Sequence, residues 1–448
     1  MRMSGIELTT SVPNKYWTAA ELMPREEIEK LQFLRLKEQI HYVWEKSPYY
    51  RAKYEEAGFV PDMLRTIKDL QIIPHLLKEE IRLSQEKNPP YGMMCIPNHK
   101  PFTRIAMTSG TTGVPVLIPF TEQDYMGVYC EGAARAMWGA GVRNTDVVHA
   151  AFGFTPFLGL GAAYDACEHL IGAMVVPGGI WDSTIRLKML PLFKVTVLIG
   201  TPTYLFRLAD VAEKSGIDVS ELGLRIVMTA GEPGGSSVEN IGKRLEKLYG
   251  AKSYDYSGTQ ETQYLTWQCE YGTAHINEDL AYLEVLNPDT DEPVAPGESG
   301  KMIVTDLIQK THPTIRFDTG DIIEGIDYGF KCPCGRTLAK FKGYRGRIGD
   351  IIKVRGVSVS VTGIENVIRG IEECANYEYF AIRENNRDEI KVRVEPKGNI
   401  ASCDYEAVTE KIHDALRCSF MINMDVQMLS PGTLPVYELK AKRFKDLR

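Results

Sequence analysis

Between residues 26 and 46 the apolar side chains Ile28, Leu31, Leu34, Ile40 and Val43 recur at roughly helical spacing among polar neighbours. That stripe predicts an amphipathic helix. Pro48 ends it, and a shorter helix follows to Gly58. From about residue 100 to 345 the pattern changes to short apolar runs between longer segments of helical pattern. The runs 102–107, 146–151, 174–177, 195–200 and 224–229 read as strands, and 237–248 reads as a helix. Such alternation predicts βαβ units around a parallel or mixed sheet. Two later strands, 280–286 and 300–306, are joined by a polar, proline-bearing connection over 288–297. The stretch 341–349 is rich in Gly and Arg and marks a boundary. Beyond it, strands at 351–354, 377–383 and 389–394 and a helix at 364–369 suggest a small α+β unit. The expected fold class is therefore α/β: a large amino-terminal α/β domain with mixed sheets, 1–346, and a small mobile carboxyl-terminal α+β domain, 347–448.

Composition bounds this reading. A chain of 448 residues is too long for a single core, so two domains suit its length. Hydrophobic residues at 44% and charged residues at 25% are ordinary for a globular protein. The net charge of −7 argues against nucleic acid or an anionic membrane as partner. Met1-Arg2-Met3-Ser4-Gly5 leads into polar residues, so a secretory leader is not expected. No run of about 18 apolar residues predicts a membrane span. The nine cysteines are an odd number and mostly scattered, which fits a reducing, cytoplasmic setting.

Three features carry candidate chemistry. Thr108-Ser109-Gly110-Thr111-Thr112-Gly113 follows the 102–107 strand. Its glycines permit positive φ and its N–H and hydroxyl groups can cradle phosphate. Taken alone, it is equally an ordinary polar turn. Cys269, His275, Cys332 and Cys334 are soft donors suited to tetrahedral zinc, or else buried cysteines and a core histidine. Phe152-Gly153-Phe154-Thr155-Pro156-Phe157 is a Gly-broken aromatic stretch after a strand. It lines either a pocket for an aryl group or plain core.

Further motifs follow in order: Ser257-Gly258-Thr259-Gln260-Glu261, Asp318-Thr319-Gly320-Asp321, Gly346-Arg347-Ile348-Gly349-Asp350 and Lys440-Ala441-Lys442-Arg443. With the 108–113 run they resemble the signature set of adenylate-forming enzymes. Gly200-Thr201-Pro202-Thr203-Tyr204, Ala230-Gly231-Glu232-Pro233, Cys332-Pro333-Cys334-Gly335-Arg336 and Ser47-Pro48-Tyr49-Tyr50-Arg51 narrow the resemblance to the phenylacetate-CoA ligase family. It covers nearly the whole chain.

The resemblance implies an ATP-dependent aryl or arylacetic acid–CoA ligase working through an acyl-adenylate, with ATP, Mg2+, CoA and Zn2+. ATP would meet Thr108 to Gly113, Gly231, Glu232, Pro233, Asp255, Tyr256, Ser257, Gly258, Thr259, Gln260, Asp321 and Arg347. Glu261 matches the acid that holds Mg2+, Asp321 the acceptor of the ribose hydroxyls, and Lys440 the catalytic lysine of the Lys-x-x-Arg motif. Their bland alternatives are a helix cap, an Asx turn and a solvated tail lysine. Phe152, Phe154, Phe157 and Ala230 would line the acyl pocket, and Gly349 and Asp350 would form the hinge. Cys269, His275, Cys332 and Cys334 would hold Zn2+ in a closed structural site. The expected partner is an aromatic carboxylic acid, and the assembly is left open, a homodimer being one option. Departures from the family pattern are Val114 and Val116 where lysines are usual, Ser257 at the usual Tyr position, Gly349 for Asp and Leu439 for Gly. Two rival readings remain: an adenylating enzyme with a carrier, amine or phenol acceptor, and a non-catalytic nucleotide-binding protein.

Overall fold

A computed structural model describes residues 14–97, 100–108, 115–153, 156–348, 351–355, 357–384, 387–435 and 443–448. The described chain divides into two compact units. One is drawn from Met1–Ser237 and Gly242–Gly343, the other from Val238–Ile241 and Tyr344–Arg448.

The first unit opens with α1 (Arg25–Lys46), α2 (Pro48–Glu56) and α3 (Lys78–Lys87). Ile28, Leu31, Leu36, Ile40 and Val43 form the buried face of α1. Ser47 caps α2 by accepting from Tyr50 N at 3.4 Å, with Pro48 in its first turn. Strands β1 (Phe102–Met107) and β2 (Leu117–Thr121) pair antiparallel and flank the 109–114 segment. The helical run α4 (Glu122–Asp124), a π turn at Tyr125–Tyr129 and α5 (Cys130–Gly139) follow.

The central sheet then builds in βαβ steps. Its members are β3 (Val147–Ala150), β4 (Met174–Val176), β5 (Val197–Gly200), β6 (Ile226–Thr229), β7 (Lys252–Thr259), β8 (Gln263–Gln268) and β9 (Ala274–Ile276). Between them run α6 (Leu158–Asp165), α7 (Ser183–Leu192), α8 (Pro202–Lys214) and α9 (Glu239–Tyr249). Strands β10 (Ala281–Leu286), β11 (Gly300–Asp306) and β12 (Phe317–Ile323) lie adjacent in a second, antiparallel sheet. Short strands β13 (Ile326–Asp327) and β14 (Lys340–Phe341) return to the central sheet. Its order is β13-β14-β9-β8-β7-β6-β5-β3-β4. The β4-β3-β5-β6-β7 half is parallel, and the rest is antiparallel. Every residue of β5 and β6 is buried, as a parallel sheet covered on both faces requires. The mixed sheet agrees with the expected α/β class.

The second unit holds β15 (Tyr344–Arg347), β16 (Ile351–Val354), β17 (Val357–Ser360), α10 (Val361–Arg369), β18 (Cys374–Glu384), β19 (Arg387–Pro396), α11 (Tyr405–Phe420), β20 (Asp425–Met428) and β21 (Phe444–Asp446). A four-stranded sheet of order β20-β19-β18-β21 packs its buried Tyr379, Ala381, Val392 and Val394 with Ile364, Ile368, Ile412 and Leu416 of the helices. No described helix is long and apolar enough to cross a membrane.

Packing in the first unit is tight where α5 meets β8. A Cβ on Gly139 would lie 2.1 Å from the fully buried Trp267 ring. Gly161, inside α6, has nothing within 4 Å of that position. Gly139→Ala should therefore cost about 1–3 kcal/mol by overpacking. Gly161→Ala should stabilise by about 0.5–1 kcal/mol through helix entropy. Denaturant melts of the two variants read both signs.

Candidate active site and metal cluster

Loops leave the parallel strands at their carboxyl ends, where α/β sheets gather ligands. At the end of β3 the chain runs into Ala151-Phe152, and Pro156 O accepts from Met107 N at 2.9 Å. This contact brings the aromatic stretch against the end of β1, one residue before Thr108. Thr108 closes the base of the following loop: its N donates to Val116 O and its Oγ1 accepts from Val116 N, both at 3.0 Å. Phe157 is 42% exposed and Phe152 half-buried, so the stretch is not closed core. Ala230 is buried at the end of β6, and Gly231 turns the chain with φ 80°. Glu232 accepts from Thr203 N at 3.1 Å, tying this loop to the start of α8. Gln260 accepts from Leu158 N at 2.9 Å and so caps α6.

Strand alternation sorts the β7 residues. Tyr256 is buried and stacks on Tyr264 with centroids 5.1 Å apart. Asp255 points the other way. It accepts from Thr229 Oγ1 at 2.9 Å and from the Ser236 hydroxyl, and burial pushes its pKa up to about 6. Gly234 has no room for a Cβ beside this carboxylate. Ser257 shares a 2.5 Å hydrogen bond with Thr266, and Thr259 Oγ1 accepts from Thr262 N at 3.0 Å. A Cβ on Gly258 would strike Gln263 O at 1.9 Å. Asp255, Tyr256 and Ser257 thus stand in protein networks that hold the β7–β8 turn and the 231–236 loop.

Glu261 sits in that turn, buried, and caps no helix. Its Oε1 pairs with the Lys78 ammonium at 2.9 Å and has no other described partner. Two residues before Lys78, Leu76 ties its segment to the start of the Asp318–Asp321 turn. Its N donates to Arg316 O and its O accepts from Asp318 N, both at 2.9 Å. In the turn, Gly320 N donates to Asp318 Oδ1 at 2.9 Å and Asp321 N to Thr319 Oγ1 at 3.1 Å. Gly320 takes φ 71°. Asp321 is buried on β12, and Arg347 is exposed on β15 of the second unit. Ser109, Gly110, Thr111, Thr112, Gly113, Phe154, Gly349, Asp350 and Lys440 lie outside the described residues.

The four sulfur and nitrogen donors do come together. Cys269, His275, Cys332 and Cys334 are all buried, with donor atoms within 4.8 Å of one another. Cys269 Sγ lies 3.7 Å from Cys332 Sγ, and Cys334 Sγ lies 3.4 Å from His275 Nε2. A tetrahedral zinc site would set these edges at about 3.8 and 3.6 Å, so the donors fit one. His275 Nδ1 lies 3.1 Å from Leu338 O, which fixes the ring and leaves Nε2 facing the sulfurs. The hydrogen bond with Cys269 pulls the Cys334 thiol far below its ordinary range and pushes Cys269 up. Around the cluster, Arg336 pairs with the fully buried Glu21 at 2.6 Å, and Tyr16 donates to Cys334 O at 3.0 Å.

Sequence reasoning passed over three groups near the site: Lys78, His312 and the His149–Arg186 pair. His149 is a lone polar residue within an apolar strand, which was a readable signal. The others are distant in sequence from the parts they meet.

A model of the AMP-binding enzyme C-terminal domain matches residues 356–448. A phenylacetate-coenzyme A ligase of Thermus thermophilus is 31% identical, over 97% of this chain and 99% of that protein. The chain belongs to the phenylacetate-CoA ligase family. The Escherichia coli phenylacetate-coenzyme A ligase is 29% identical, over 94% of this chain and 95% of its own. Among solved structures, a 2-hydroxyisobutyryl-CoA ligase in the postadenylation state with R3-HIB-AMP superposes with a TM-score of 0.91. It is 27% identical and covers 99% of this chain and 95% of that one.

Within this family member two buried histidines give a pH signature. Burial holds His149 and His312 down to about 4, below the about 6.5 of a free imidazole. The unfolded chain therefore takes up their protons first as pH falls, and stability is lost from about 6.5 toward 4 but not above. The difference in melting temperature between wild type and His312→Leu should be constant above pH 6.5. Below it, the difference should move in the variant's favour. A constant difference throughout would place an ordinary imidazole at this position.

Proposed function

We propose that this chain is an AMP-forming acid–CoA ligase acting on an aromatic carboxylic acid. The observation that carries the reading is the Met107–Pro156 contact. It sets the exposed aromatic stretch beside the strand that leads into the 108–113 loop, in a chain of this family. An acid held by Phe152, Phe157 and Ala230 presents its carboxylate toward that loop.

In the first half-reaction a carboxylate oxygen attacks the α-phosphorus of ATP and pyrophosphate leaves. Both reactants are anionic, so the site has to supply donors and positive charge. Thr108 anchors the loop whose N–H and hydroxyl groups serve the phosphates. Asp321 takes the ribose hydroxyls, and Arg347 contacts ribose or phosphate. Glu261 would hold Mg2+, which would neutralise charge on the departing pyrophosphate; its buried carboxylate, which already meets the Lys78 ammonium at 2.9 Å, suits a cation. Lys440 bridges the attacking carboxylate and the α-phosphate. In the second half-reaction the thiol of CoA attacks the acyl carbon, its proton leaves, and AMP is expelled. The domain from residue 347 onward turns about Gly349 and Asp350 between the two steps. The nine free cysteines suit a reducing cytoplasm.

Zinc is assigned to Cys269, His275, Cys332 and Cys334. Four protein donors leave no open position, so its role is structural.

The direct test incubates a panel of aryl acids with ATP and Mg2+, scoring AMP with and without CoA. CoA thioester should appear with at least one acid. AMP without any thioester would move the acceptor to an amine, a carrier or a phenol. Lys440→Ala should lose adenylation by about 10²–10³-fold while still forming thioester from supplied acyl-adenylate. Normal adenylation by this variant would pass the role to Lys442.

Elemental analysis should find one zinc per chain. Cys332→Ser should release it and lower the melting temperature before it changes the preferred acid. A metal-free protein of full stability would make the cluster ordinary core.

A further inference from the structure

A charged group at the carboxyl edge of β3 has no part in adenylation. Arg186, on α7, is 2% exposed. Its Nη1 donates to His149 Nε2 at 2.7 Å and Ala150 O at 3.4 Å. Its Nη2 donates to Gly178 O at 3.2 Å and Trp181 O at 3.1 Å, and Nε has no partner. His149 Nδ1 lies 2.9 Å from Val176 O, which assigns the proton to Nδ1 and leaves Nε2 to accept from Arg186. The imidazole is therefore neutral. No described carboxylate pairs with the guanidinium, whose other charged-type neighbour is the Tyr204 phenol. Its central carbon lies 5.3 Å from the Tyr204 ring, and Tyr204 Oη lies 3.2 Å from Ser183 Oγ.

A buried cation without a counter-ion is costly, and dipoles alone compensate it incompletely. Its position says what completes the pair. Ala150 ends β3, and Phe152 of the aromatic stretch follows two residues later. Tyr204 stands in the first turn of α8, directly after the neighbouring β5, and Ala230 directly follows β6 beyond that. Phe152, Tyr204 and Ala230 thus leave three adjacent parallel strands at one edge. Ser183 and Tyr204 are half-buried, so this hydroxyl pair beside the buried charge is reachable from the open side.

We infer that Tyr204 and Ser183, backed by Arg186, form a polar end of the acyl pocket. The acid this enzyme takes then carries a second acceptor oxygen, a hydroxyl or carboxylate, remote from the carboxylate being activated. The inference rests on the ligase reading above and names its substrate class. An unsubstituted ring would add no acceptor to the Ser183–Tyr204 pair and no counter-charge to Arg186, whereas an oxygen there accepts from Tyr204 and lies in the field of Arg186.

Three acids of matched shape test it: phenylacetate, 4-hydroxyphenylacetate and 4-carboxyphenylacetate. The kcat/KM from AMP release should be at least about tenfold higher for one oxygen-bearing acid than for phenylacetate. Tyr204→Phe and Arg186→Met should each narrow that ratio by about tenfold, and Arg186→Lys should restore part of it. A guanidinium that merely straps the 178–181 loop would lower all three acids alike and leave the ratio unchanged, which would overturn the inference. If Arg186→Met does not fold, Tyr204→Phe and Ser183→Ala decide. Calorimetric binding of the same acids without nucleotide separates the two levels. Tyr204-dependent preference in binding with no AMP formed would sink the ligase reading and keep the subsite. AMP formed with no preference for the oxygen would do the reverse.

Discussion

Buried backbone N–H groups must find acceptors, and loops at a sheet edge have no ladder to supply them. In this protein, side-chain carboxylates and amides fill that need. Asp306 Oδ1 takes Ile308 N and Gln309 N at 2.8 and 2.7 Å. Asp124 takes Lys310 N and Thr311 N at 3.0 and 2.8 Å. Glu232 holds Thr203 N, Gln260 holds Leu158 N, and Glu278 holds Ala339 N at 2.7 Å. Burial pushes Asp306 up to about 7 even so, a measure of how strongly its site resists charge. These acids shape the loops and are used up in doing so. Glu261 differs: it is equally buried, yet its Oε1 meets the Lys78 ammonium at 2.9 Å in place of a backbone N–H.

The sulfur cluster meets a second constraint. Tyr16 and Glu21 come from the amino-terminal segment, Cys269 directly follows β8, His275 stands in β9, and Cys332 to Arg336 form the knuckle. Arg336 lies between Glu21 and the Trp267 ring, 4.9 Å from its centroid, and completes the brace. The cluster therefore joins segments distant in sequence, apart from the carboxyl edge of β3, β5 and β6.

Elements with one dominant period were legible in the sequence. Strands at 102–107, 300–306 and 351–354 occur at the expected residues, and α1 lies within a residue of 26–46. The antiparallel half of the central sheet was not legible. Lys252–Thr259 mixes Lys, Ser, Asp and Thr with two tyrosines, and only its partner strands decide which face is buried. The same alternation explains Tyr256. It lies in a nucleotide motif, and pairing with β8 sets its ring against Tyr264. Gln260 likewise sits in that motif, and its side chain caps a helix whose start lies far away in sequence. Donor type grouped Cys269, His275, Cys332 and Cys334 as either a zinc site or plain core, and only the fold brings their donor atoms within 4.8 Å of one another. Arg186 and His149 sit on separate elements with no motif spacing to join them, so local pattern held no trace of the pair.

The central claim is that this chain activates a carboxylate as an acyl-adenylate. Exchange of labelled pyrophosphate into ATP, measured without CoA, tests it most directly because the first half-reaction is reversible on the enzyme. The account predicts exchange that requires an aryl acid and Mg2+ and saturates with the acid. Absence of acid-dependent exchange across aryl acids, from folded protein supplied with Mg2+, would contradict it.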